Sequence, residues 1–79
     1  MTIFILVSAS SDGDLNFGGE VRGIFKTREE ARVALKEFHD KTLENFYEPN
    51  DDYGSDYFDI SEEDDIADRV EAHIVEKEI

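Results

Sequence analysis

Seventy-nine residues, no cysteine and a net charge of −13 allow one domain with a modest core and exclude disulfide staples and thiolate metal sites. Leu, Ile, Val and Phe supply 22 of the 79 residues, above the ~20% mark below which a highly charged chain stays disordered. A single fold over residues 1–79 is therefore expected. The apolar opening lacks a basic flank and is shorter than the ~7–15 residues of a signal-peptide core. No stretch approaches the ~20 apolar residues of a membrane span, so a cytoplasmic, reducing home is expected.

Residues 2–8 read as the best strand. Ile3, Ile5 and Val7 fall on one face and Phe4 and Leu6 on the other, which suggests a central strand buried from both sides or lying under a helix. Residues 9–19 are a loop by turn chemistry. A second strand at about 20–26 pairs antiparallel with the first across that loop. Thr27-Arg28-Glu29-Glu30 is a capping box, and Ala31, Ala34, Leu35 and Phe38 then lay one apolar stripe toward the sheet. Pro49 stops the helix near 45–47. Residues 48–56 read as an acidic turn region. A short strand at 56–60 is weakly signalled, with Ser61 opening a helical turn as the alternative. Val70, Ala72 and Ile74 alternate with Glu71, His73 and Val75 in a last strand. The expected class is α+β: three or four antiparallel strands with one helix across a face, in the order β-β-α-(β)-β.

The charge is lopsided. Residues 1–41 carry seven acids and six bases, whereas residues 42–79 carry fourteen acids and two bases. Such a half repels phosphate, so direct nucleic-acid binding through it is not expected. It attracts basic protein surfaces instead. From Glu48 to Glu71 there are eleven acids and one base, with Tyr53, Tyr57 and Phe58 interleaved. Rings among carboxylates suit an interface as well as a core. Alternate residues on an extended chain lie ~6.6 Å apart, against ~3.4 Å between phosphates on one DNA strand. A folded carboxylate array thus approximates phosphate charge density without copying it. The basic stripe Arg28, Arg32 and Lys36, with Arg22 and Lys26 just before it, either folds against this tract or forms a second contact surface; five bases cannot neutralise the twelve surplus negatives of the second half.

Other chemistry is thinly signalled. Asp12-Gly13-Asp14-Leu15-Asn16 matches the first three oxygen ligands of a calcium loop, but Phe17 and Gly23 stand where glycine and a bidentate Glu are needed. It reads as a polar hairpin loop. Asp51, Asp52 and Asp56 offer a loose cation site on the same reasoning. His39 and His73 have no partner at a metal-binding or catalytic spacing, and both read as surface residues. No nucleophile, phosphate or dinucleotide motif is present, so an enzyme, a resident metal and a cofactor are not expected.

The acidic tract running from Glu48-Pro49-Asn50-Asp51-Asp52-Tyr53 through Asp59 to Glu62-Glu63-Asp64-Asp65, set in a small cysteine-free β-β-α-β chain, resembles in style the phage-encoded anti-CRISPR and anti-restriction DNA mimics. That resemblance implies a non-enzymatic inhibitor that occupies the nucleic-acid channel of a CRISPR effector or restriction nuclease. Charge and exposure point to Asp51, Asp52, Tyr53, Asp56, Asp59, Glu62, Glu63, Asp64 and Asp65 as the residues that meet the basic nucleic-acid-binding partner. On this reading, neutralising Asp51, Asp52, Asp64 and Asp65 together abolishes inhibition and leaves the fold intact. The alternatives are an immunity protein or antitoxin for a basic toxin, and a divalent-cation module built on Asp12, Asp14 and Asn16. The oligomeric state is not legible.

Overall fold

The computed structural model describes residues 1–11, 17–63 and 68–79. Its class is α+β, with one helix on one face of a five-stranded antiparallel sheet ordered β2-β1-β5-β4-β3. The strands are β1 (Thr2–Ser11), β2 (Phe17–Phe25), β3 (Pro49–Tyr53), β4 (Tyr57–Glu62) and β5 (Arg69–Glu78), and the helix is α1 (Arg28–Leu43). The sheet is thus one strand larger than the sequence suggests, and the order is β-β-α-β-β-β. The expected pairing of the first two strands holds, and β1 is an interior strand, between β2 and β5.

The additional strand is β3, in the stretch that reads as an acidic turn. It lies at the sheet edge, and all five of its residues are exposed. Pro49 sits at its first position, where a missing N–H costs no ladder bond. The strand forms because β4 offers it a pairing row from Pro49–Glu62 to Tyr53–Phe58, not because its residues favour extension. At the other end of the hairpin, the Gly54 amide donates to the Tyr57 carbonyl at 2.9 Å. Ser61 and Glu62 belong to β4, so the helical-turn alternative at Ser61 fails for those residues.

Helix α1 starts where the capping signal places it. Thr27 is extended, and its hydroxyl accepts from the Glu30 amide at 3.2 Å, satisfying one of the orphan donors of the first turn. Glu29 and Glu30 lie at the positive end of the helix and Lys41 at the negative end. The helix stops at Leu43, a little before the expected 45–47. Its buried line is Ala31, Leu35, His39 and Thr42.

Cross-strand partners share a face, so the register assigns each side chain to one side of the sheet. The helix-covered face holds Leu6, Phe58, Ile60 and Ala72, which form the core with Leu35. Phe25, Phe38, Val70 and Ile74 pack around them. Phe38 meets Phe58 edge-to-face with ring centres 5.3 Å apart, a favourable aromatic arrangement. Among the described residues no helix lies across the opposite face.

Candidate partner-binding site

Strand alternation divides the acidic tract between the two faces of the sheet. Asp51 pairs across the ladder with Ile60 and Tyr53 with Phe58, so both turn to the helix side; Asp52 pairs with Asp59 and turns to the open side. Neighbouring acids in the sequence therefore meet different surroundings.

Asp51 reaches His39 on α1. The His39 Nε2 lies 2.8 and 2.9 Å from the two Asp51 oxygens, and its Nδ1 lies 3.0 Å from Asp40 Oδ1. The ring is buried, only 8% exposed, between Tyr53 at 4.5 Å and Phe58 at 5.3 Å. The expectation of a surface histidine at position 39 is overturned. His39 continues the buried line of the helix, and a carboxylate from β3 makes that burial affordable. His73 is exposed, as expected. With a carboxylate against each nitrogen, the His39 ring presents no free nitrogen to take a proton from a substrate.

Asp56, in the β3–β4 turn, is gripped by two arginines one helical turn apart. Arg32 Nε donates to Oδ1 at 2.7 Å and Arg28 Nη1 to Oδ2 at 2.9 Å. The Arg32 hydrogen bond, aided by the charges of both guanidiniums, holds the Asp56 carboxyl below its ordinary range. Arg28 also reaches Glu76 at 3.1 Å and lies over the Phe4 ring. Two members of the helix's basic stripe thus fold against the acidic tract. The third, Lys36, pairs with Asp40 at 3.0 Å. Hydrogen bonds from His39 and Lys36 hold Asp40 below the usual carboxylate range.

On the open face, Arg69 bonds both oxygens of Asp59 and reaches Glu71. Glu62 is used differently: its two oxygens accept the backbone amides of Tyr47 and Glu48 at 2.6 and 3.1 Å, pinning the link between α1 and β3.

The site residues expected from the sequence are therefore not one surface of like function. Asp51, Asp56, Asp59 and Glu62 are engaged within the fold. Asp52, whose Oδ1 takes a 3.3 Å hydrogen bond from the Tyr57 hydroxyl, and Glu63 face outward without a cation partner among the described residues. Glu48 shares that position. Tyr53 is half exposed above His39, at a groove of about 690 Å³ between α1 and the β3–β4 turn. Asp64 and Asp65 lie outside the described residues, as do Asp12, Asp14 and Asn16 of the calcium-loop reading. The loose cation site is not assembled, because Asp51, Asp52 and Asp56 point to His39, to Tyr57 and to the two arginines respectively. Among the described residues no group of three potential ligands converges on one point, and no helix is long and apolar enough to cross a membrane.

An edge strand lined with acids beside a one-helix antiparallel sheet describes a small α+β domain whose most distinctive surface is electrostatic. The chain belongs to the family described as a domain of unknown function, DUF7336, whose model matches residues 1–73. No curated protein and no solved structure matches it.

Proposed function

We propose that this domain is a non-enzymatic binding protein that docks a basic, nucleic-acid-binding protein through the acidic rim around β3. The observation that supports this reading is β3 itself: a fully exposed edge strand carrying Asp52, flanked by Glu48 and Glu63, in a half-chain with fourteen acids and two bases. Asp56 takes up Arg28 and Arg32, Asp59 takes up Arg69 and Asp51 takes up His39, which leaves these outer carboxylates over. Their field steers and orients a basic surface, and the open row of backbone groups along β3 offers further hydrogen bonds to a partner. The specific form of the proposal is an inhibitor of a CRISPR effector or restriction nuclease, which holds phosphate with the same kind of Arg and Lys residues.

The test is capture of partners by the immobilised domain from nuclease-treated host extract, with elution by a salt gradient and then by duplex DNA. The proposal expects a basic nucleic-acid-binding protein released at moderate salt and displaced by DNA. A partner indifferent to both eluents, or none, contradicts it.

A further inference from the structure

Over β2, β1 and one end of β5 the open face of the sheet is apolar, where a one-sided antiparallel sheet is normally polar. The register places Ile3, Ile5 and Val7 of β1 on it, together with Val21 and Ile24 of β2 and Val75 of β5. Val21 and Ile24 are 61% and 64% exposed. Covering so much apolar surface is favourable, and α1 lies on the other side.

We infer that this face is the contact surface for a second copy of the chain, in a two-fold symmetric dimer with the sheets packed face to face. The relief of the face argues for a copy of itself. Across β2 and β1, Ile24 lies beside Ile5, Val21 beside Val7, and Gly19 beside Ala9. Over Gly19 and Ala9 the surface dips into a hollow of about 440 Å³, bounded by Val7, Val21, Glu71 and His73. A two-fold axis across the strands at the level of Val7 exchanges the large row with the small one. Ile24 and Ile5 of each copy then enter the hollow over Gly19 and Ala9 of the other, and Val21 meets Val21.

The placement of charge agrees with that axis. The acids of the open face, Glu71, Asp59 and Asp52, lie on the row of Gly19 and Ala9. The axis carries them toward the Val75 end of the second copy rather than onto each other. The three strands that carry the apolar side chains, β2, β1 and β5, ~4.8 Å apart and ~25 Å long, offer about 360 Å² per copy and leave Asp52 on β3 outside the contact. Two copies then cover about 720 Å², the size of a weak, concentration-dependent association. Glycine at position 19 follows from the same packing: a β-carbon there has ordinary contacts within the chain, the nearest atom being 3.7 Å away, so the fold itself leaves room for a side chain.

The test is the solution mass by light scattering at roughly 0.1–1 mM protein, the concentration that an interface of this small size calls for. Twice the 9.1 kDa chain mass is expected, and the dimer strengthens with salt as repulsion between two chains of net −13 is screened. Binding of a basic partner weakens with salt, so the two proposals fail separately. Ile24→Glu restores the monomer, and at dilutions where the wild type is itself monomeric the two melt alike. The chain has no cysteine of its own, so Val21→Cys is expected to cross-link under mild oxidation at least tenfold faster than Val33→Cys, an exposed position on α1. A 9.1 kDa species at every protein and salt concentration, or equal cross-linking by the two variants, overturns the inference and gives the face to a different occupant.

Discussion

His39 and Asp51 meet at 2.8 Å across the seam between α1 and β3, and this contact ties the exposed edge strand to the core. No buried side-chain polar atom among the described residues lacks a partner. The acids of the tract that turn inward do so toward a group able to receive them, which makes the seam a test of how the fold uses its charge.

Asp51→Ala removes the acceptor for a ring nitrogen that is buried. Leaving a buried polar group without its partner costs about 1–3 kcal/mol, a fall of roughly 5–20 °C in melting temperature for a domain of this size. Thermal melting checks it. The same measurement on Asp52→Ala, at an outward-facing position, is expected to move by less than about 0.5 kcal/mol.

Phe58 is the largest of the fully buried side chains, set against Phe38 and His39. Phe58→Ala is expected to cost about 3–5 kcal/mol, a large part of the 5–15 kcal/mol by which domains are stable. Urea titration followed by circular dichroism is expected to show partial or complete unfolding in buffer.

The carboxyls of Asp40, Asp56 and Glu78 are held below their ordinary values in the folded protein. Between the folded and unfolded values the unfolded chain binds more protons, so lowering the pH favours unfolding. The stabilisation is complete above the unfolded carboxyl value near 4 and disappears as pH falls through the lower folded values. Asp56→Asn is expected to flatten this acid limb. Melting temperatures between about pH 6 and 2 that fall equally for both proteins would remove Asp56 from the account.

Glu62→Gln keeps the shape but replaces one of the two acceptor oxygens with an NH2 donor and removes the charge from the other. Faster hydrogen exchange at the Tyr47 and Glu48 amides, with little change at Leu35, is the expected outcome. Exchange read by NMR distinguishes local loosening of the α1–β3 link from global destabilisation.

Much of the fold is legible in the chain because its signals are local. The alternation of Ile3 to Val7 and of Val70 to Val75, and the Thr27 cap with its apolar stripe, each lie within a few residues. β3 is not legible, because Pro-Asn-Asp-Asp-Tyr has no apolar alternation and becomes a strand only by pairing with β4. The destination of each acid follows from that hidden strand: alternation sends Asp51 to His39 and Asp52 outward. One signal was available. His39 falls four residues after Leu35, on the line of Ala31 and Leu35, which marks it as buried and in need of a partner.

The structure also changes which residues test the binding proposal. Asp51 is part of the seam, so a charge variant that includes it confuses loss of contact with loss of fold. The most direct measurement compares partner capture by the wild type with capture by the triple variant Glu48→Gln, Asp52→Asn, Glu63→Gln, after confirming that both melt alike. The account predicts that the folded variant captures at least tenfold less of the basic partner and that its residual binding depends less steeply on salt. Capture equal to that of the wild type, with the same salt dependence, would contradict it.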